Sequence, residues 1–342
     1  MKKRAYQVAA GMLAALCLAA GCREKTEVAG ATEAAGTATE TAAEETEEAD
    51  EETETEATLE SADGEEPLTP ATEEDGETPS GYAFREEPLV IELDAGHGKT
   101  GGAENEKHGV LERDVNLQIA LKLKEELEAY ENVTVYLTRD GAFDVELTDR
   151  VKKAVDDGAD VLISLHNNAA GSICDYYNGC TVLAARGAGN PELAEITQEL
   201  GCYILNELEE AGSENQGLMF RVTQDELYYD DGSLCDYYSI VRNSVKAGIP
   251  GIIVEHAFLD NEADYQAFFA DSEKIDRLAL ADARGIAGYY HLKKKGSEEI
   301  PLTLENHTEK ITLIVSDDYQ DNTYQEKTYF TKGQFSSDGD LH

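Results

Sequence analysis

From Gly81 to about Leu292 two kinds of apolar pattern alternate along the chain. Short continuous runs occur at Pro88 to Asp94, in VTVYLTR (133–139), DVLISLHNN (160–168) and PGIIVEHAFL (250–259). Runs of this length, rich in Val and Ile and apolar throughout, predict strands buried on both faces. Between them lie longer amphipathic stretches. From Glu112 to Tyr130, Val115, Ile119, Leu123 and Leu127 recur every four residues, which lines one face of a helix. LTDRVKKAVDDGA (147–159) predicts a second helix and NPELAEITQELGCYILNELEEAG (190–212) a third, and further helices run from Asn261 to about Tyr290. There is no internal repeat. Alternating strands and helices, with two-sided apolar strands, predict an α/β domain over 81–292, a mainly parallel mixed sheet flanked by helices on both faces.

The ends of the chain follow other rules. Lys2, Lys3 and Arg4 precede an apolar stretch from Val8 to Ala20; this is the order of an export signal, and it is short for a membrane span. The signal closes in LAAGC, which resembles a bacterial lipobox with Cys22 as the lipidated first residue of the mature protein, and with Ala19 where Leu is more usual. Residues 1–21 are then a lipoprotein signal peptide, and the protein is exported and anchored to the outer face of a membrane through Cys22 rather than spanning it. Residues 22–80 are Glu, Thr and Ala with very few basic residues. Alanine buries too little surface to offset chain entropy, so this segment reads as a disordered acidic tether. It carries much of the net charge of −43, and a strongly acidic exported chain argues against nucleic acid as a partner. Residues 293–342 include two strand-like stretches, KITLIVSDDY and KTYFTKGQF, which either begin a small β module or add to the edge of the sheet. Beyond the signal, Cys174, Cys180, Cys202 and Cys235 remain. Outside the cytoplasm they either pair, most easily across CDYYNGC, or stay as four thiols.

In an open α/β sheet the crevice lies beyond the carboxyl ends of the strands. Three predicted strands end there on groups with chemistry: His97, His166 and Glu255. Glu112 opens the first helix and belongs at the same edge. Glycines surround His97 in DAGHGKTGG, allowing a sharp turn and close approach. Two imidazoles and one carboxylate suit a catalytic zinc with an open fourth position. The other reading, unrelated core or surface histidines, stays open on spacing alone, because no local HExxH is present. Gly98-Lys99-Thr100 imitates the end of a phosphate loop, but Leu93 stands where its first glycine belongs. No GxSxG turn occurs.

DAGHG, Glu112 in ERDVNL, LTR, ADVLISLHNN and IIVEHAFLDN, in this order and spacing, resemble the zinc-dependent N-acetylmuramoyl-L-alanine amidases of the Amidase_3 type, over about Leu89 to Tyr290. The resemblance implies one Zn²⁺ per chain held by His97, Glu112 and His166, with Glu255 as the catalytic glutamate. It implies peptidoglycan as the substrate, cut at the amide between N-acetylmuramic acid and L-alanine, and leaves room for a protein activator that the sequence does not name. Asn116 and Asn168 match polar positions near the ligands and are expected to support them or to cap local turns. Arg242 is expected to bind a stem-peptide carboxylate or sugar oxygen, or to sit in a surface ion pair. His108 is a competing ligand for the metal. His256 should point to the opposite face from Glu255, and His291, His307 and His342 are expected in solvent. TQDELYYDDGSLCDYYS (223–239) reads most simply as a surface loop, and otherwise as a lid or glycan groove. The alternatives to an amidase are a zinc peptidase of the same fold and an inactive wall-binding lipoprotein.

Overall fold

The computed structural model describes residues 83–171, 175–305, 307–316 and 322–329. The signal, Cys22, the acidic segment 22–80, Cys174 and His342 lie outside them. The described chain builds strands β1 (Leu89–Ala95), β2 (Glu104–Asn105), β3 (Val110–Leu111), β4 (Val133–Leu137), β5 (Val161–Asn168), β6 (Cys180–Leu183), β7 (Asn215–Arg221), β8 (Gly251–Phe258), β9 (His307–Ile314) and β10 (Thr323–Tyr329). Its helices are α1 (Glu112–Leu127), α2 (Leu147–Asp156), α3 (Pro191–Glu210), α4 (Ser239–Ala247) and α5 (Ser272–Tyr290). A short helical turn at Glu262–Asp264, continued by one π turn at Tyr265–Phe269, precedes α5.

One sheet of eight strands runs β10-β9-β7-β6-β8-β5-β1-β4, and β2 pairs with β3 apart from it. β4, β1, β5 and β8 are mutually parallel; β6 lies antiparallel to β8, and β7 and β9 then follow β6 in parallel. The sheet is therefore mixed and mainly parallel, with helices on both faces.

Strand alternation divides the apolar residues between two cores. Leu89, Ile91 and Leu93 of β1, Val161, Ile163 and Leu165 of β5, and Ile252 and Val254 of β8 pack with α1, α3 and α5. Leu162, Ile253 and Phe258 pack with α2 and α4 on the other face. The α1 stripe predicted by spacing is buried, with Val115 at 3% exposure and Ile119, Leu123 and Leu127 at 0%. Each such burial contributes about 1.5–3 kcal/mol, more than a single helix propensity can supply.

Local chemistry fixes the helix ends. Asn190 accepts a hydrogen bond from Leu193 N and Pro191 opens α3, the usual pairing of cap and first-turn proline. Gly248 closes α4 at φ 76°. His291 closes α5 in the same left-handed region, at φ 54°, so it is half-buried as a helix cap rather than free in solvent. His307 also departs from expectation: it opens β9 half-buried and pairs with Glu309.

β6 and β7 were not apparent from the hydrophobic pattern. β6 is four residues long, and β7 begins with Asn215 and Gln216 and contains Gly217 at φ 85°. The segment after residue 292 adds to the sheet edge: β9 pairs with β7 in parallel, and β10 folds back on β9. The 223–239 stretch is more than a surface loop. Tyr229, Cys235, Asp236 and Tyr238 are buried, and Tyr229 OH donates to Asp236 Oδ2 at 2.7 Å. Its tip, Leu227 and Tyr228, is exposed. Among the described residues Cys180, Cys202 and Cys235 are buried free thiols, and no helix there is long and apolar enough to cross a membrane.

Candidate metal centre and active site

The turn after β1 brings His97 to the carboxyl edge of the sheet. His97 adopts φ 62°, a left-handed conformation that costs a side-chain-bearing residue energy and persists only where neighbours enforce it. The glycines on either side are needed for contact. A Cβ on Gly96 would lie 2.2 Å from His166 Nε2, and one on Gly102 would lie 3.2 Å from the His97 ring.

Two buried arginines hold this turn. Arg139 donates to Ala95 O at 2.7 Å, Gly96 O at 2.9 Å and Arg113 O at 2.7 Å. Arg150 donates to His97 O at 2.7 Å and to Asp94 Oδ1 at 2.5 Å. Asp94 also accepts from Thr138 Oγ1 at 2.5 Å and Ser164 Oγ at 2.7 Å. Burial alone would raise the Asp94 carboxyl; the Arg150 guanidinium and the two hydroxyls outweigh it and hold the group below its ordinary value. Arg150 carried no signal in the sequence, because an arginine in an amphipathic helix reads as solvated. Asp94 reads as the end of a strand and the start of DAGHG, without its buried ion pair.

His97, Glu112 and His166 meet at this edge. His97 Nε2 and His166 Nδ1 lie 3.1 and 3.0 Å from the same oxygen, Glu112 Oε1. The other oxygen, Oε2, accepts from Ala103 N at 2.8 Å, so the carboxylate is fixed at both ends. Donor atoms of the three residues all lie within 4.8 Å of one another, and the side chains are 4 to 14% exposed. Burial opposes the charge on Glu112, but the hydrogen bonds to His166 and His97 hold its carboxyl well below the usual range. Burial pushes His166 down, toward the neutral imidazole that can ligate a metal.

Glu255 lies opposite His166 in the β5–β8 register. Beyond that pair the register slips, with Asn168 facing Phe258. The bulge puts one extra residue into β8 next to the site, a common way of re-aiming side chains. Glu255 is 3% exposed, and its Oε2 has no hydrogen-bond partner among the described residues. Burial, reinforced by the charge of Glu112, pushes its carboxyl well above the normal range.

The remaining sequence candidates separate. Asn116 donates to Glu112 Oε1 at 3.3 Å and to Gly96 O at 3.2 Å. Its partner is Asn167, not Asn168: Asn167 Nδ2 donates to Asn116 Oδ1 at 2.8 Å, and Asn167 N reaches Glu112 Oε1 at 3.3 Å. Asn168 uses its carbonyl to accept from Leu259 N, and its side-chain nitrogen is buried without a partner. Two adjacent asparagines on a strand face opposite ways, and the sequence did not say which faced the site. Arg242 donates to Asp236 O and Tyr237 O, binding down its own loop. His108 is drawn away from the cluster, 3.1 Å from Glu262 Oε2 and stacked on Tyr265. His256 points to the opposite face, its ring nitrogens 2.7 Å from His166 O and 2.8 Å from Asp282 Oδ2.

The family model for Amidase_3, N-acetylmuramoyl-L-alanine amidase, matches residues 91–288. The chain belongs to the Amidase_3 family. All four edge residues fall inside the matched span, whereas β9 and β10 lie beyond it. Among its relatives, the endolysin of Bacillus phage SPP1 is 30% identical over 216 residues, covering 62% of this chain and 70% of that protein. The N-acetylmuramoyl-L-alanine amidase CwlM of Bacillus licheniformis is 28% identical over 214 residues, 61% of this chain and 72% of its own. Of solved structures, Cwp6 from Clostridium difficile superposes with a TM-score of 0.50 at 26% identity, covering 58% of this chain and 29% of Cwp6. This Amidase_3 protein is accordingly a peptidoglycan amidase with a mixed α/β fold.

Proposed function

We propose that this amidase is a zinc enzyme in which His97, Glu112 and His166 hold the metal and Glu255 moves the proton, and that lipid on Cys22 keeps it at the outer face of a membrane. The observation that carries the reading is the convergence of two imidazoles and one anchored carboxylate beside a buried, unpartnered Glu255 Oε2.

The residues fit the ion. Ligand atoms around a tetrahedral zinc stand roughly 3.4 Å apart, given bond lengths of about 2.0–2.1 Å. The two imidazole nitrogens already lie 3.1 and 3.0 Å from Glu112 Oε1, so small ring movements suffice. Three protein ligands leave a position open for substrate and water. Bound there, zinc would polarise the scissile carbonyl, acidify water and offset the charge of Glu112 that adds to the effect of burial on Glu255.

This chain's own groups do the rest. Glu255 Oε2 takes a proton from the attacking water and delivers it to the nitrogen of the leaving L-alanine. A base in this position contributes about 10²- to 10⁴-fold in rate. Asn116 and Asn167 keep Glu112 oriented, and the Arg139 and Arg150 contacts keep the His97 turn in place.

The test is product identification on purified peptidoglycan with the mature chain, with and without a chelator. Stem peptides bearing a free L-alanine amine, released only when zinc is present, are the expected products. Cleavage within the stem peptide would replace the amidase with a zinc peptidase. Chelator-resistant release of the same products would remove zinc from the proposal. Labelling of Cys22 by a fatty-acid probe, lost in Cys22→Ala, tests the anchor.

A further inference from the structure

Away from the catalytic edge, between α3 and the C-terminal strands, lies a second group of metal-ligating side chains. We infer that Cys202, His307 and Glu309 form a structural site for a zinc-like divalent cation that fastens β9 and β10 to the amidase fold. This goes beyond the amidase reading, and two of its three donors lie outside the residues that match the family.

The geometry starts from two periodicities. His307 and Glu309 are two apart on β9 and so share a face. Cys202 faces them from α3, which approaches the sheet closely at this level: a Cβ on Gly201 would lie 2.7 Å from Leu218 Cδ2. The thiol, imidazole and carboxylate donors all lie within 4.8 Å of one another. Zinc bonds of about 2.0–2.1 Å to nitrogen and about 2.3 Å to sulfur require separations of roughly 3.4–3.6 Å, a contraction within side-chain reach. His307 Nε2 is already 3.0 Å from Glu309 Oε2.

The surroundings suit a buried cation. Cys202 is 2% and Glu309 3% exposed. The Glu309 carboxylate is held by Asn215 Nδ2 at 3.3 Å and by Lys310 N at 3.0 Å, the outer contacts that orient a ligand. Among the described residues its ion-pair partner is an imidazole, His307, and not a lysine or arginine. A buried carboxylate needs compensating charge, which a cation between these three groups supplies. Thiolate, imidazole and carboxylate together favour zinc over magnesium or calcium.

The probe is Co²⁺, added to the reduced, metal-free mature chain. Thiolate bound to Co²⁺ gives a near-ultraviolet charge-transfer band, and the His97 cluster contains no thiol. We expect about two cobalt ions per chain with this band present. Cys202→Ala should abolish the band, halve the bound cobalt and leave amidase activity intact; His307→Gln should do the same if the Ala variant folds poorly. His97→Ala should keep the band while losing the other cobalt and the activity, so failure of the catalytic assignment reads out separately. Absence of the band from wild-type protein at saturating cobalt overturns the inference, as does a band that survives in Cys202→Ala.

Discussion

The two donor clusters of this molecule use nearly the same side chains in different settings. At the catalytic edge, two imidazoles and a carboxylate sit under a glycine-rich turn, next to a buried glutamate with a free oxygen. Beneath α3, a thiol, an imidazole and a carboxylate are enclosed between helix and sheet. The first has a buried glutamate, Glu255, opposite His166 with an unpartnered oxygen; among the described residues the second has no such neighbour. Ligand identity alone therefore says little about what a bound metal would do. The neighbouring groups decide between chemistry and cross-linking.

That contrast can be broken at four points. The largest effect is expected from Glu255→Gln, which should lower kcat by about 10²- to 10⁴-fold while zinc content, measured by elemental analysis, stays unchanged. Loss of zinc in this variant would make Glu255 a ligand and erase the distinction between the clusters. Next is Arg150→Met, which leaves the Asp94 carboxylate uncompensated and should cost about 3–5 kcal/mol in denaturant unfolding. Asp94→Asn in the same chain should recover much of that; no recovery would show that the ion pair is not what the arginine supplies.

Gly96→Ala should act more locally. Its methyl group must displace the His166 ring, so zinc affinity should fall about 10- to 100-fold in chelator competition. The cobalt–thiolate band of the second cluster should not change, and a parallel loss there would mean that the two sites are coupled. The smallest effect concerns Glu92, a buried carboxylate with no imidazole beside it. Burial pushes its carboxyl up to about 8, despite Lys153 Nζ at 3.6 Å. In the unfolded chain the group ionises near 4.5. Its contribution to stability is therefore greatest in acid and is lost as pH rises from that value through about 8. Glu92→Gln should raise Tm at pH 8 by about 2–4 °C for each kcal/mol recovered, and by much less at pH 5. An equal gain at both pH values would separate Glu92 from any titration.

Much of this arrangement was legible in the sequence, for reasons that also explain the remainder. Four strands were visible because they are continuous apolar runs, and α1 because its stripe repeats every four residues. Three of those strands carry His97, His166 and Glu255 to one edge by topology alone, and Glu112 joins them by opening α1. β6 and β7 were not visible: four residues are too few to show a period, and Gly217 with two leading amides hides the other. The clamp role of Arg139 and Arg150 was hidden because buried arginines are rare and most of their partners are backbone carbonyls, which have no sequence signature. Asn167 was not singled out, because the sequence does not show which asparagine of the adjacent pair reaches Asn116. His307 looked solvated because its strand lies beyond the recognisable domain.

β10 occupies one outer rim of the sheet, and its first six residues, Thr323 to Thr328, are exposed, Glu326 and Lys327 among them. Charges along a rim discourage another chain from adding as a further strand. Two strands inward, beneath β9, β7 carries Leu218, Met219 and Phe220, all nearly inaccessible. A chain cut at residue 292 would keep every proposed catalytic group and yet present this apolar strand, with its backbone donors and acceptors unpaired, as a bare rim. Such a fragment would be prone to self-association through β7, a rim that β9 and β10 otherwise cover.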